Sequence, residues 1–151
     1  MTHAEQTVWI LVADAARARF YQAQGARGPL LELEDAVHPA SRLPGHELLA
    51  DRPGRALDSH GEHRHGMEPT IDPKDEEARR FAAELCARLR ERYQAHAFNH
   101  LVLVAPPRFL GFLRDALDHQ LASRVLASVD LDLTHCTTPD VVRAHLPDPL
   151  Y

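Results

Sequence analysis

Three short segments near the N-terminus carry the hydrophobic patterns of β-strands. Residues 7–14 (TVWILVAD) form a nearly continuous apolar run, which is typical of a central strand buried on both faces. Residues 16–24 and 30–37 alternate loosely between apolar and polar positions, and the turn sequence GARGP separates them. Because the connections are short, the pattern predicts an antiparallel meander of three strands.

The next segment, residues 39–72, has no sustained periodicity and contains four prolines and four glycines. A loop of this length inside a compact domain is usually either functional or disordered. The segment ends where Asp72 supplies a favourable N-cap and Pro73 suits the first position of a helix. Apolar residues then recur at three- and four-residue spacing and predict a long amphipathic helix: Ala78, Phe81, Ala82, Leu85, Leu89 and Tyr93.

The remainder of the chain alternates strands and helices. Residues 100–106 (HLVLVAP) predict a second buried strand, which leads through Pro106-Pro107 into RFLGFLRDAL, a predicted helix. Residues 124–134 predict a final strand, and residues 137–146 a short closing helix. The predicted order is βββ–long loop–αβαβα, which describes one α/β domain over residues 1–151 with a mixed five-stranded sheet.

This order predicts where a ligand would bind. The strand at 100–105 returns after a long crossover helix, so we expect it to lie parallel to the first strand and beside it. Ligands of open α/β sheets bind at the carboxyl ends of such neighbouring strands. Asp14 would then lie near Pro106, Pro107 and Arg108, with the long loop able to fold across them.

Composition narrows the class of protein. Hydrophobic residues make up 44% of the chain and charged residues 26%, a usual globular mixture. The net charge of −5 argues against a generic nucleic-acid binder. Two cysteines form no disulfide framework, no apolar run is long enough for a membrane helix, and no signal peptide is evident. We therefore expect a cytoplasmic protein without a membrane partner.

Several segments together resemble the bacterial host-attachment protein family. They are VADAARARFY, LEDAVHP, DRPGRALDS, RHGMEP, DPKDEEARRFAAEL, LVLVAPPRFLGFLR and DLTH, which occur in this order over nearly the whole chain. That family is in turn similar to the middle domain of archaeo-eukaryotic class I release factors, which has a ribonuclease-H-like arrangement. The resemblance implies the same fold here, and it implies the ribosome, tRNA or structured RNA as a partner.

The release-factor loop that corresponds to residues 39–72 carries a Gly-Gly-Gln tip, and this sequence has none. At the comparable place stands His65-Gly66-Met67-Glu68-Pro69. The departure argues against hydrolysis of peptidyl-tRNA, so the resemblance favours a binding factor over an enzyme.

The histidine-rich part of the loop has three interpretations. His60, His63 and His65, with acids such as Asp58 and Glu68, could supply metal ligands, although their spacing matches no standard signature. The same residues could be plain surface. In the third interpretation the segment grips a ligand, and the further candidates are Arg52, Arg55 and Arg64, whose guanidinium groups suit phosphate.

Asp14 and Arg108 are the candidates outside the loop. Asp14 stands where a ribonuclease-H-like nuclease carries a metal-binding carboxylate, but the fourth strand ends without an acid, and the pattern indicates edge or solvent-facing positions for Asp130 and Asp132. We expect Asp14 to hydrogen-bond the turn that follows it and to orient Arg17 or Arg19.

The leading hypothesis is an RNA- or ribosome-associated binding factor that uses loop 39–72 and needs no cofactor. The alternative is a hydrolase or metal-dependent enzyme with a site formed by Asp14, Arg108 and the segment His60–Glu68.

Overall fold

The computed structural model describes residues 6–37, 72–136 and 138–151. The strands are β1 (Val8–Ala13), β2 (Arg17–Ala23), β3 (Leu30–Val37), β4 (His100–Ala105) and β5 (Val125–Asp130). The helices are α1 (Pro73–Gln94), α2 (Pro107–Ala116), α3 (His119–Ala122) and α4 (Pro139–Ala144). All of the predicted loop except Asp72 lies outside the described residues.

The five strands form one mixed sheet in the order β3-β2-β1-β4-β5. The first three strands pair antiparallel, as the meander pattern predicts. β4 lies beside β1 and parallel to it, and β5 continues the parallel half. The predicted α/β class and the predicted mixed five-stranded sheet are confirmed.

The sheet separates two hydrophobic layers. β1 is buried at all six positions because alternate side chains enter opposite layers. Trp9 and Leu11 belong to the layer under α1 and α2, whereas Ile10 and Val12 belong to the layer under α4 and the C-terminal residues. A continuous apolar run is the sequence signature of such a strand.

Local signals in the sequence set the N-terminal ends of the helices. The side chain of Asp72 accepts a hydrogen bond from the backbone N–H of Lys74, and Pro73 follows it. Pro107 occupies the first turn of α2. Asp118 and Thr138 cap the two short helices through their side-chain oxygens. Within the described residues, no helix is long and apolar enough to cross a membrane.

Two sequence predictions need correction. The short helix α3 was not predicted, because its four residues are too few for an apolar period. The last strand ends at Asp130 and not at residue 134. Residues 131–136 turn back over the carboxyl edge of the sheet, where Leu133 enters the second hydrophobic layer.

Candidate functional site

A cleft of about 410 Å³ lies at the carboxyl ends of β1 and β4. It opens where the sheet changes from antiparallel to parallel pairing, since β1 has β2 on one side and β4 on the other. Its lining combines charged groups with an apolar wall: Asp14, Ala15, Ala16, Lys74, Asp75, Ala78, Pro106, Arg108, Phe109 and Phe112. This is the position at which open α/β sheets usually hold ligands.

Two helices begin at this cleft. α1 runs back toward the start of β4, and α2 follows directly from its end, so both N-termini lie at the carboxyl edge. Lys74 and Asp75 from the first turn of α1 and Arg108 from the first turn of α2 line the cleft. Helix N-termini present unpaired backbone N–H groups and a partial positive charge, which favours an anionic group.

Asp14 closes the turn between β1 and β2. Its Oδ1 accepts hydrogen bonds from the backbone N–H groups of Ala16 (2.8 Å) and Arg17 (2.9 Å). The backbone N–H of Asp14 donates in turn to the carbonyl of Arg17 at 2.9 Å. The turn that the sequence predicts for Asp14 is therefore present, and it leaves Oδ2 directed away from the backbone.

Asp14 Oδ2 and an oxygen of a second carboxylate, that of Asp132, contact the same threonine hydroxyl. The hydroxyl of Thr134 lies 2.8 Å from Asp14 Oδ2 and 2.7 Å from Asp132 Oδ1. Thr134 is fully buried, and its backbone N–H also donates to Asp132 Oδ1 at 3.1 Å. The exposed His135 stands beside this pair, with a ring nitrogen within 4.8 Å of an oxygen from each carboxylate.

Arg108 forms a two-point ion pair across the cleft. Its Nε donates to Asp75 Oδ1 at 3.0 Å, and its Nη2 donates to Asp75 Oδ2. The hydrogen bonds and charge of Asp75 raise the pKa of Arg108 above its ordinary value. The Arg108 side chain remains 72% exposed, so it can also be reached by a ligand that enters from solvent.

A second cleft of similar size, about 420 Å³, lies at the opposite, amino edge of the sheet. Its lining among the described residues includes polar groups such as Tyr93, His96 and Asn99, but no acid, lysine or arginine. The carboxyl-edge cleft therefore has the charge pattern better suited to an ionic ligand.

The structure brings together two of the predicted site residues, Asp14 and Arg108, which line the same cleft. The other candidates fall outside the described residues: Arg52, Arg55, Asp58, His60, His63, Arg64, His65 and Glu68. Sequence reasoning placed Asp132 at an edge or solvent-facing position of the last strand; Asp132 is exposed, but it lies beyond that strand. His135 was not considered. Both follow β5 directly, and DLTH is one of the segments on which the family resemblance rests.

Comparison with known families identifies the family of this sequence. The family described as "Protein required for attachment to host cells" matches residues 9–146. The chain belongs to this family. The description gives a biological role and states no reaction, ligand or cofactor. No curated protein matches the chain.

Solved structures show a more distant likeness. One is described as an archaeal protein, with 15% sequence identity and a TM-score of 0.44. Another is an archaeal translation termination factor, with 16% identity and a TM-score of 0.43. Each alignment covers 83% of this host-attachment chain, which spans 30% and 31% of the two longer chains.

Proposed function

We propose that this host-attachment family protein is a binding factor for RNA, free or within the ribosome. In this proposal the cleft at the carboxyl edge receives an RNA phosphate, and segment 39–72 extends the contact surface. The cleft carries the proposal, because it joins two helix N-termini to the exposed guanidinium of Arg108.

The direction of the strands supports a role for the segment. β3 runs parallel to β1, because each is antiparallel to β2, so Val37 ends at the carboxyl edge. α1 begins at the same edge, at Asp72. The intervening sequence therefore leaves and rejoins the described structure at the edge of the sheet where the cleft lies. Arg42, Arg52, Arg55 and Arg64 belong to it.

Charge limits the strength of such binding. The net charge of −5 opposes a general attraction to RNA, and Asp14 and Asp75 offset the two cations of the cleft. Binding would therefore depend on a few well-positioned contacts. Each phosphate contact should steepen the plot of the logarithm of affinity against the logarithm of salt concentration by about one unit.

The pairing of Arg108 with Asp75 makes a sharp test possible. Co-sedimentation with ribosomes and the fluorescence anisotropy of labelled tRNA are measured over a range of salt concentrations. Arg108→Ala should weaken binding roughly tenfold and lower the salt slope by about one. Asp75→Asn should strengthen binding, because it removes the carboxylate that competes with phosphate for Arg108.

Arg114→Ala is the matched control, since Arg114 is an exposed arginine on the same helix and does not line this cleft. A variant with residues 51–68 replaced by a Gly/Ser linker tests the segment separately. If the unaltered protein binds neither ribosomes nor tRNA at low salt, the proposal is wrong. If Arg108→Ala and Arg114→Ala act equally, the cleft is not the site.

The alternative, a hydrolase, draws support from the placement of Asp14 and Arg108 in one cleft. Its test is turnover of phosphodiester and ester substrates by the purified protein, with Asp14→Asn as the comparison. Turnover that survives this substitution would argue against a hydrolytic site at the cleft.

A further inference from the structure

We propose that Asp14, Asp132 and His135 form a binding site for a divalent transition-metal ion of the Zn²⁺ class. One oxygen of each carboxylate and one ring nitrogen of His135 lie within 4.8 Å of one another. The three residues come from two separate parts of the chain, the end of β1 and the segment after β5. Their juxtaposition is a product of the fold and not of a local motif.

The distances suit one ion after small side-chain rotations. Zinc binds oxygen and nitrogen ligands at about 2.0–2.2 Å, which places tetrahedral ligand atoms roughly 3.3–3.6 Å apart. Asp14 is held by its turn and Asp132 by its hydrogen bonds with Thr134, whereas His135 is exposed. Rotation of the His135 side chain, with small adjustments of the two carboxylates, can therefore close the remaining distance without a change in the backbone.

The charge balance at Thr134 is a separate observation that points to a cation. Its hydroxyl carries one proton, yet it contacts an oxygen of both Asp14 and Asp132. One of the two contacts is therefore without a hydrogen, and two negative groups are held against a fully buried side chain. In the described part of the chain, no ion pair neutralises either carboxylate.

A bound cation would remove this repulsion, because it attracts both carboxylates and needs no shared proton. The ligand set also selects the ion. Imidazole nitrogen favours zinc and similar transition metals, whereas Mg²⁺ and Ca²⁺ prefer sites made of oxygen alone. Three protein ligands leave one coordination position of a tetrahedral ion for water or an anion.

The inference does not rest on RNA binding, and it is tested without RNA. The binding of Zn²⁺ to untagged protein, freed of metal by chelation, is measured by equilibrium dialysis and titration calorimetry at neutral pH. The parent for this experiment carries His60→Ala, His63→Ala and His65→Ala, so that the histidine-rich segment cannot contribute the signal. We expect one Zn²⁺ per chain, with no competition from millimolar Mg²⁺.

Asp132→Asn and His135→Gln should each weaken Zn²⁺ binding at least about tenfold, since loss of even an outer-shell partner costs 10–100-fold. The amide introduced by Asp132→Asn keeps an Oδ1 acceptor for Thr134, so this variant should fold. Exposed residues of the same types supply the controls, Asp130→Asn and His119→Gln, which should bind like the parent.

Co²⁺ substitution gives an independent readout. The visible absorption of the Co²⁺-loaded parent should be that of a four-coordinate oxygen and nitrogen site, and it should be lost in His135→Gln. Absence of stoichiometric Zn²⁺ in the parent would overturn the proposal. Equal affinity in the parent, Asp132→Asn and His135→Gln would overturn it as well.

Discussion

Asp14 can be perturbed in two ways that separate its hydrogen-bonding role from its charge. Asp14→Ala removes the acceptor for two backbone N–H groups and for the Thr134 hydroxyl. Asp14→Asn keeps Oδ1 for the two N–H groups and turns an amide N–H toward Thr134. The Thr134 oxygen can then accept from that amide while its own proton goes to Asp132, so every contact has a donor.

The two variants should therefore differ in stability. Asp14→Ala removes two hydrogen bonds from backbone N–H groups, while the Thr134 proton still has Asp132 as an acceptor. At a net value of about 1 kcal/mol each, these two bonds give a loss of about 2 kcal/mol in the free energy of unfolding. For a chain of this size, that loss lowers the melting temperature by roughly 4–8 °C. Asp14→Asn should stay within about 1 kcal/mol of the unaltered protein, because only the charge is lost.

Urea denaturation followed by circular dichroism measures both differences, with EDTA present to exclude metal. The slope with denaturant must be the same for all three proteins if the comparison is to report stability alone. The reasoning is refuted if Asp14→Asn is destabilised as much as Asp14→Ala. That result would mean that the negative charge, and not the hydrogen-bond geometry, holds the turn and the 131–136 segment together.

Three further predictions concern the packing of the fold. Burial raises the pKa of the Cys86 thiol to about 12 from 9.0, so native protein should show a single thiol reactive with Ellman's reagent, that of Cys136. Between about pH 9 and pH 12 the thiol ionises in the unfolded chain but not in the folded one. The free energy of unfolding, measured in urea relative to Cys86→Ala, should therefore be constant below about pH 9 and fall by about 1.4 kcal/mol per pH unit from there to about pH 12. Leu113→Ala, at a fully buried position of α2, should cost about 2–5 kcal/mol by the same assay. Arg143→Ala should cost about 2–4 kcal/mol, because the guanidinium donates to the carbonyls of residues 26, 28 and 147, whereas the exposed Arg114→Ala should cost under about 0.5 kcal/mol.

The predictable parts of the fold were the strands that are buried on both faces and the helix whose buried residues recur at regular spacing. β1 and β4 are apolar at nearly every position because each lies inside the sheet, and α1 repeats its apolar residues at helical spacing. The long crossover through α1 required a parallel return, so the neighbours of β1 followed from chain order. Boundaries were less predictable: Leu131 and Leu133 continue the alternation of β5 but lie beyond its last paired residue.

The candidate site was predictable only for residues whose place is set by strand direction. Asp14 and Arg108 follow two strands that were expected to be parallel neighbours, so their meeting in one cleft needed no side-chain detail. Asp132 and His135 depend on where β5 loses its pairing and on how the next six residues fold back. That path is decided by the burial of Leu133 and Thr134, a tertiary effect that spacing in the sequence does not encode. Strand-like alternation places Asp132 on a strand and facing solvent. In the structure Asp132 is exposed but lies after the strand, where the Thr134 hydroxyl contacts both its carboxylate and that of Asp14.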